Sequence, residues 1–470
     1  MILSSDHKPS VHFSGVGGTG MVAGARLALE SGWEVRGSDM PLYPPTSEMV
    51  KALGIPIYEG YAASNLDWNP DVVVIGNALS RGNDEVEAVL ERGMHYISFP
   101  EWLKDALLRD RRSVVITGTH GKTTTTSITA HVLQECGLNP GYLIGGQPLN
   151  FTHSAAIGEV GAPFVVEGDE YDTAFFDKRA KFFHYIPEIA AITSLEYDHA
   201  DIYESVEAIE LAFQRMLRQI PRSGHLILCA DDERVMNLRD HAFSQVHTYG
   251  VSDAAEWKIA DIKNADGVQQ CTVHHDGALW GSFTSSLYGE HNMKNCLVAI
   301  ITASLFDATP EAIQAALASF SGIRRRLEHF HTWNDIFFLD DFAHHPTAIE
   351  ETIRAVKGRW PGKRVTVCFD PRSNTMATNI FQFELEASLS EADEVWVGPI
   401  FRPEKYTPET ILDRDGMVER LCEHGVAAHA GTPEEIVAHF KATSDEQKII
   451  LCCSNGSFGG IYQLIRDELT

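Results

Sequence analysis

The feature that most constrains this chain is a glycine-rich turn between a predicted strand, residues 113–117, and a predicted helix. The turn reads Gly118-Thr119-His120-Gly121 and is followed by Lys122, Thr123 and Thr124. Such a turn aims backbone N–H groups and the positive end of a helix dipole at a phosphate chain. It predicts a nucleotide site at the carboxyl end of a parallel strand, and therefore an α/β fold.

The two residues after the turn have distinct expected roles. Lys122 would neutralise the outer phosphates and the Thr123 hydroxyl would bind Mg²⁺. The match is to the shorter G-x-x-G-K-T form, since Ile116 stands where the longer pattern needs glycine. The alternative is a capped turn before a helix; the strand-and-helix context favours phosphate binding.

A second glycine-rich turn lies near the N-terminus, again between a predicted strand and a helix. It reads Gly15-Val16-Gly17-Gly18-Thr19-Gly20, and Asp39 ends the next strand. That spacing, about 20 residues, is typical of an acid that binds the ribose of a dinucleotide. Taken alone it indicates an NAD site, but the same turn accepts any pyrophosphate, including that of a UDP-sugar. Tight helix packing is the structural alternative.

Acidic residues follow two further predicted strands. The segment FVVEGDEYD ends in Glu167, Asp169, Glu170 and Asp172, and Asp198 and His199 follow the strand AAITS. Carboxylates at the carboxyl ends of parallel strands can hold Mg²⁺ beside the phosphate-binding turn. A single histidine such as His199 is equally compatible with a structural role.

Polar motifs in the second half have less specific meanings. Asn292 and Asn295 offer donors and acceptors that suit an adenine edge, and the run Arg324-Arg325-Arg326 suits phosphate oxygens or a solvated surface. The segment DDFAHHP, which contains Asp341 and His345, predicts a metal site or a nucleotide-contacting loop. The segment DPRSNTM, which contains Arg372, Ser373 and Asn374, suits a carboxylate or a surface loop.

Length and charge limit the function further. A chain of 470 residues exceeds a single hydrophobic core. Composition changes predict domains at 1–110, 111–326 and 327–470. A net charge of -27 argues against nucleic acid or an anionic membrane as the main partner. The N-terminus lacks the apolar core of a signal peptide, and eight cysteines without a CxxC pair fit reduced thiols, so we expect a cytoplasmic protein.

These motifs, in this order, resemble those of the Mur ligases, ATP-dependent amide-forming enzymes of peptidoglycan metabolism. The resemblance covers essentially the whole chain. It rests on the segments GVGGTGM, GTHGKTTTT, EGDEYD, SLEYDHAD, GEHNMKN, GIRRRLE, DDFAHHPTAI and SNGSFGG. It implies three α/β domains: a Rossmann-like UDP-binding domain, a central P-loop ATPase domain and a C-terminal Rossmann-like domain that holds the amine.

The resemblance also implies a role for each matched position. The UDP-sugar would contact Gly15, Gly17, Gly18, Thr19, Gly20, Asp39, Asn77, Ser80 and Arg81. ATP would contact Gly118, Thr119, His120, Gly121, Lys122, Thr123, Thr124, Asn292, Asn295, Arg326 and Asp341. Metal ions would bind Thr123, Glu167 and His199, and the catalytic residues would be Lys122, Glu167, His199 and Arg326. Arg324 and Arg325 would stay solvated, and Phe213 replaces a carbamylated lysine of some members.

Several segments further indicate which substrates such a member uses. LYPPTSE, IGNALSRGN, YDTAFFDKRAKFFHY and PRSNTMATN are similar to those of the wall-recycling members, which join UDP-N-acetylmuramate to L-alanyl-gamma-D-glutamyl-meso-diaminopimelate. Arg372, Ser373, Asn374 and His345 would bind this tripeptide. The alternatives are L-alanine as acceptor, an NAD-linked oxidoreductase and a nucleotide-dependent switch. We expect ATP and Mg²⁺ as cofactors, and a monomer or weak homo-oligomer.

Overall fold

The chain forms an α/β structure built on three main β-sheets. The structure is a computed structural model. It describes residues 8–43, 46–198, 202–265, 267–443 and 447–470. Within these residues, no helix is long and apolar enough to cross a membrane. All eight cysteines are free thiols, and most are buried.

The first sheet has five parallel strands in the order β3-β2-β1-β4-β5. Strand β1 is buried along its whole length because helices cover both faces. The strand order reverses beside β1, which is where open α/β sheets bind ligands. The strands are β1 Ser10–Ser14, β2 Glu34–Asp39, β3 Ile57–Glu59, β4 Val72–Ile75 and β5 Tyr96–Ser98, and the helices are α1 Thr19–Glu30, α2 Thr46–Ala52, α3 Asp84–Glu91 and α4 Phe99–Ala106.

The second sheet has ten strands, with β6, which precedes the central glycine turn, between β12 and β9. Its middle is parallel, and β15, β16 and β17 form an antiparallel edge. The strands are β6 Arg112–Thr117, β7 Gly141–Leu143, β8 Ala155–Ala156, β9 Pro163–Gly168, β12 Ile189–Ile192, β13 His225–Cys229, β14 Gln245–Gly250, β15 Trp257–Ala265, β16 Val268–His275 and β17 Ala278–Ser285. The helices are α5 Lys122–Glu135, α6 Val206–Leu217, α7 Glu233–Asn237, α8 Glu290–Ser304 and α9 Pro310–Ser319.

A hairpin of β10 Asp172–Ala174 and β11 Asp177–Ala180 connects the first two sheets. Phe175 and Phe176 at its tip pack against the apolar cluster beside β4, and the Phe176 and Tyr96 ring centroids are 5.0 Å apart. Because aromatic side chains bury much apolar surface, these contacts fix the hairpin against the first sheet.

The third sheet has six strands in the order β18-β19-β23-β20-β21-β22, all parallel except β18. The strands are β18 Glu328–Trp333, β19 Ile336–Asp341, β20 Arg364–Phe369, β21 Glu394–Val397, β22 Ala427–Ala430 and β23 Lys448–Cys453. The helices are α10 Pro346–Arg359, α11 Gln382–Leu389, α12 Arg414–Glu423, α13 Pro433–Ala442 and α14 Ile461–Glu468.

Strand register brings the polar motifs together at the carboxyl edge of each sheet. In the second sheet Thr117 pairs with Gly168 and Ile192, so the segments that follow β6, β9 and β12 meet. In the third sheet Asp341 and Phe369 both pair with Cys453, which gathers the ends of β19, β20 and β23. The domain boundaries predicted from the sequence stay a proposal.

Candidate active site

The central glycine turn has a backbone that only glycine adopts easily. Gly118 and Gly121 have φ of 123° and 81°, in the left-handed region. A Cβ at Gly118 would collide with the Thr193 hydroxyl, and one at Gly121 would lie 2.7 Å from Asn295 Oδ1. Thr119 anchors the turn, since its N–H donates to the Ser194 carbonyl and its Oγ1 accepts from the Glu196 N–H.

Lys122, the first residue of α5, is folded back over this turn. Its Nζ donates to Glu170 Oε2 at 2.8 Å and to the Gly118 carbonyl at 2.7 Å, and the side chain is 11% exposed. Burial opposes the charge, but Glu170 and Asp169 outweigh it and raise the pKa of Lys122. The turn thus contains a permanent positive charge where a phosphate chain would lie.

Thr123 and Glu167 form an oxygen-rich pair beside the lysine. Thr123 Oγ1 donates to Glu167 Oε1 at 2.8 Å, and the Gly145 N–H donates to Glu167 Oε2 at 2.9 Å. Burial and the Asp169 charge raise the pKa of Glu167. A hydroxyl and a carboxylate held together at low solvent access fit a hard divalent cation such as Mg²⁺.

A cavity of about 430 Å³ opens between the turn, α8 and the start of the third sheet. A volume in this range suits a nucleotide-sized ligand. Seven residues that the sequence predicts for ATP line it: His120, Gly121, Thr124, Asn292, Asn295, Arg326 and Asp341.

Two asparagines of α8 connect this cavity to the helix after the turn. Asn295 Oδ1 accepts from Thr125 Oγ1 at 3.0 Å, and Asn295 Nδ2 donates to Asn292 Oδ1 at 3.3 Å. Asn292 Nδ2 donates to the Tyr288 carbonyl at 2.7 Å. Both side chains are buried, so their orientation is fixed before a ligand binds.

Asp341 and Arg326 form the opposite wall. The Asp341 carboxylate accepts from the N–H groups of Leu327 and Ala343 at 2.7 and 2.8 Å. Burial raises the pKa of Asp341, and the nearby Arg326 opposes this. The Arg326 guanidinium lies 5.0 Å from the Phe342 ring centroid.

The N-terminal glycine turn is built differently. The Gly17 N–H donates to Asp39 Oδ2 at 2.6 Å, while Asp39 Oδ1 accepts from the Met40 N–H and the Tyr61 hydroxyl. A Cβ at Gly17 would collide with Leu42. The turn leads directly into α1, so the N–H groups of the first turn of α1 and the helix dipole can face an anion.

The three sheets match three family models in the same order. The models are described as Mur ligase family, catalytic domain, over residues 10–111; Mur ligase middle domain, over 116–303; and Mur ligase, glutamate ligase domain, over 325–456. The chain belongs to the Mur ligase family. Mur ligases are ATP-dependent ligases, so this chain is an ATP-dependent ligase and the α/β fold predicted from the sequence is confirmed.

Individual Mur ligases resemble the chain over almost its full length. The UDP-N-acetylmuramate--L-alanyl-gamma-D-glutamyl-meso-2,6-diaminoheptandioate ligase of Escherichia coli (strain K12) is 40% identical, with 98% of each chain covered. A UDP-N-acetylmuramate--L-alanine ligase of Desulfatibacillum aliphaticivorans is 34% identical, with 96% of each covered. The crystal structure of a murein peptide ligase from Psychrobacter arcticus 273-4 has a TM-score of 0.70 and 34% identity, with 98% of each chain covered.

In this Mur ligase the loop after β20 presents Arg372 at the edge of the third sheet. Its guanidinium lies 3.9 Å from the Phe401 ring centroid and packs so closely on Gly456 that a Cβ there would collide with it. Ser373 Oγ accepts from the Met376 N–H at 3.1 Å, and Asn374 is exposed. Stacking orients the planar guanidinium, which can bind a carboxylate with two hydrogen bonds.

His345 lies at the junction between the second and third sheets rather than on an open surface. Its side chain is 6% exposed, its Nδ1 lies 3.3 Å from Glu196 Oε2, and its ring centroid is 4.7 Å from that of His120. Pro346 begins α10 directly after it, which fixes the local backbone. Burial and His120 lower the pKa of His345 to about 4, so the imidazole is neutral.

Glu196, which the sequence analysis did not single out, joins these elements. Its Oε2 accepts from Thr347 Oγ1 at 2.8 Å and lies 3.1 Å from His120 Nε2. Burial opposes ionisation, but His120 and its other partners lower the pKa of Glu196 to about 2. Its place after β12, three residues before His199, was the available signal.

The interpretation of Arg325 as a solvated residue is wrong. Its Nε donates to Asp340 Oδ2 at 3.1 Å, and its NH2 group donates to the carbonyls of Ser454 and Gly456 at 2.7 and 2.8 Å. Arg324 is 60% exposed and pairs with Glu328. Arg325, whose φ is 60°, has a side chain that is 31% exposed and paired with a carboxylate of the third sheet.

Other predicted positions have mixed surroundings. Asn77 Nδ2 donates at 3.0 Å to Oδ1 of Asp172, which lies on the hairpin between the first two sheets. Arg81 pairs with Glu87 through two hydrogen bonds, and Ser80 is exposed. His199 lies outside the described residues. Phe213 is fully buried and its ring centroid lies 5.3 Å from that of Phe182, an apolar position that cannot hold a carbamate.

Proposed function

We propose that this Mur ligase joins UDP-N-acetylmuramate to L-alanyl-gamma-D-glutamyl-meso-diaminopimelate, with ATP hydrolysis to ADP and phosphate, in peptidoglycan recycling. The observation that carries the proposal is the 40% identity, over 98% of both chains, to the Escherichia coli ligase named for these substrates. Identity to the L-alanine ligase is 34%. The stacked Arg372, which suits an acceptor with extra carboxylates, supports the tripeptide.

The reaction begins with the sugar's lactyl carboxylate and the γ-phosphate of ATP. A carboxylate oxygen attacks the γ-phosphorus, the bond to the β-phosphate oxygen breaks, and ADP leaves with that electron pair. The product is an acyl phosphate. Since both reactants are anions, Lys122 at the turn and Arg326 across the cavity hold the phosphate chain and offset its charge.

A divalent cation would be held by Thr123, Glu167 and, as a further proposal from the resemblance, His199. When bound, Mg²⁺ supplies charge neutralisation to the phosphates. The Glu167 carboxylate is already oriented for this by Thr123 and by the Gly145 N–H.

The second step forms the amide. The peptide's α-amine attacks the acyl carbon, the bond to the phosphate oxygen breaks, and phosphate leaves while the amine loses a proton to solvent. An α-amine with a pKa of about 7.7 to 8.0 is already neutral in roughly a tenth of molecules at pH 7, so a dedicated base is optional. Arg372, Ser373 and Asn374 would hold acceptor carboxylates at the edge of the third sheet.

The acceptor assignment can be tested by ADP release. Purified enzyme, ATP, Mg²⁺ and UDP-N-acetylmuramate are combined with either the tripeptide or L-alanine. We expect continued ADP release over many turnovers only when sugar and acceptor are both present, with the tripeptide strongly preferred. A preference for L-alanine would favour the alternative ligase, and ADP release without either substrate would indicate a switch. Calorimetric titration with NADH tests the oxidoreductase alternative. We expect no binding, and binding of NADH would favour that alternative.

The remaining assignments follow from the same proposal. We propose domains at 1–110, 111–326 and 327–470, which hold the UDP-sugar, ATP and the amine. A cytoplasmic location is supported by the need for ATP and a nucleotide sugar, and we propose a monomer or weak homo-oligomer that binds neither nucleic acid nor membrane. Size-exclusion chromatography with light scattering tests the oligomeric state.

A further inference from the structure

A second cavity, of about 240 Å³, extends from the N-terminal glycine turn to Glu167, the carboxylate that accepts a hydrogen bond from Thr123. Thr19 and Gly20 of the N-terminal turn lie at one end, and Glu167 of the Mg²⁺ pair lies at the other. Between them the wall is mostly apolar or backbone, with Phe99, Leu143 and Ile144. A ligand whose pyrophosphate binds the first turn and whose acid is phosphorylated beside Glu167 has to extend through this cavity.

The charges in the cavity pose a problem for an acidic ligand. Two carboxylates, Glu167 and Asp169, face it, and an added carboxylate in a poorly solvated space is repelled by both. Among the described lining residues, Lys181 is the one with a positive charge. Its Nζ donates to Asp169 Oδ2 at 2.8 Å, and its side chain is 28% exposed.

Local secondary structure and a backbone hydrogen bond fix the position of Lys181 beside the cavity. It begins the short 3-10 turn Lys181–His184 directly after the hairpin, and its N–H donates to the Tyr171 carbonyl at 3.0 Å. Its ammonium lies 5.8 Å from the Tyr171 ring centroid. The neighbouring Phe182 is fully buried, so the turn cannot rotate the lysine away without exposing that ring.

Lys122 is assigned to a different anion, the phosphate chain of ATP. Its Nζ donates to Glu170 and to two carbonyls at the central turn, and Lys122 does not line this second cavity. Lys181 Nζ donates to Asp169 and lies beside the cavity. An ammonium group offers three donors, so Lys181 can remain hydrogen-bonded to Asp169 and also donate to a second carboxylate.

We propose that Lys181 forms the binding subsite for the carboxylate that is phosphorylated, the lactyl acid of the sugar. The lysine offsets the charge of that acid between Glu167 and Asp169 and directs it toward the γ-phosphate. This inference rests on the proposed function. It makes Lys181 the residue by which the enzyme distinguishes a nucleotide sugar that carries an acid from the same sugar without one.

The test compares three ligands with and without the lysine. UDP-N-acetylmuramate, UDP-N-acetylglucosamine, which lacks the lactyl acid, and UDP are titrated calorimetrically into wild type and Lys181→Met, with Mg²⁺ and without ATP. The variant should bind UDP-N-acetylmuramate roughly 10- to 100-fold more weakly, since a charged hydrogen bond is lost. Its affinity for the other two ligands should stay within about twofold, which also shows that the variant is folded.

Two further variants serve as controls. Lys181→Arg keeps the charge and should retain most of the preference for the acidic sugar. Lys441→Met removes a lysine–carboxylate pair of the same 2.8 Å length, Lys441 with Glu468, at a distant surface and should change nothing. Equal weakening of all three ligands by Lys181→Met would place the lysine at the pyrophosphate and overturn the proposal, as would unchanged affinities. Failure of wild type to bind UDP-N-acetylmuramate would instead contradict the proposed function.

Discussion

The two glycine turns have the same position in their sheets but carry different charges. Each follows a buried parallel strand and leads into a helix. Lys122 directly follows the central turn, whereas the N-terminal turn, residues 15–20, contains neither lysine nor arginine. In the N-terminal turn one N–H is bound by Asp39. In the proposed reaction, one backbone design therefore binds two anions, and we expect the side chains to set how strongly each anion is held.

The strongest test of this difference is Lys122→Ala. Ligation should fall by roughly 10³-fold or more, because the phosphate chain loses its main positive contact. Affinity for UDP-N-acetylmuramate, measured by calorimetry, should stay within about twofold, since the N-terminal turn is untouched. Turnover at the wild-type rate would contradict the assignment.

A control is needed because Lys122→Ala leaves Glu170 buried without its partner, which is destabilising by about 3–5 kcal/mol. The double variant Lys122→Met/Glu170→Gln removes both charges. It should regain thermal stability while staying inactive. Recovery of activity together with stability would show that Lys122 acts only through folding.

Two glycine-to-alanine variants distinguish the effect of backbone strain from the effect of a collision between the added Cβ and a neighbouring side chain. Gly121 and Gly32 have φ of 81° and 83°, but a Cβ at Gly121 meets Asn295, whereas one at Gly32 meets nothing within 4 Å. Gly32→Ala should cost about 1 kcal/mol of stability and leave kinetics unchanged. Gly121→Ala should in addition raise the KM for ATP roughly 10- to 100-fold. Equal kinetics in the two variants would mean that the turn tolerates the added methyl group.

Arg325→Ala tests whether an arginine of the third sheet supports the proposed acceptor site in the way that Lys122 supports the proposed ATP site. Arg325 binds the carbonyls of Ser454 and Gly456, and Gly456 packs on Arg372, so its loss should disorder the proposed acceptor site. We expect the KM for the tripeptide to rise about 10-fold, and both nucleotide affinities to be kept. Arg324→Ala, the exposed neighbour, should match wild type. An Arg325→Ala variant with an unchanged tripeptide KM would contradict this.

Acid should weaken the junction beside the central turn. The His345 pKa is lowered to about 4, so the unfolded chain binds the proton first. The stability that neutral His345 provides is complete above its unfolded pKa, about 6.5, and is lost as the pH falls from there toward 4. Between pH 7 and 5 this amounts to about 1–2 kcal/mol.

Thermal unfolding of wild type and His345→Gln at both pH values measures this loss. The drop in Tm between pH 7 and 5 should be smaller in the variant. An equal drop would assign the acid sensitivity to other histidines, such as His291, whose pKa burial also lowers to about 4.

The sequence predicted the parts of the site that depend on local geometry. The turn at Gly118–Gly121 and the acids after β9 could be read directly, because a tight turn needs glycine and strand ends share one edge. Contacts between distant segments could not. Glu196 meets His345 only because the third sheet packs against the second. Arg325 meets Gly456 only because β18 and β23, which are far apart in sequence, belong to one sheet. Lys181 is one of three basic residues in the segment DKRAK, and only the cavity distinguishes it.

The central claim is that both turns serve one reaction, in which the sugar's acid is phosphorylated by ATP. UDP-N-acetylmuramate labelled with ¹⁸O in the lactyl carboxylate tests this directly. After turnover with ATP and the tripeptide, mass spectrometry should find one ¹⁸O in the released inorganic phosphate, because the amine displaces phosphate together with a carboxylate oxygen. Phosphate free of ¹⁸O would contradict the acyl-phosphate route and the shared site.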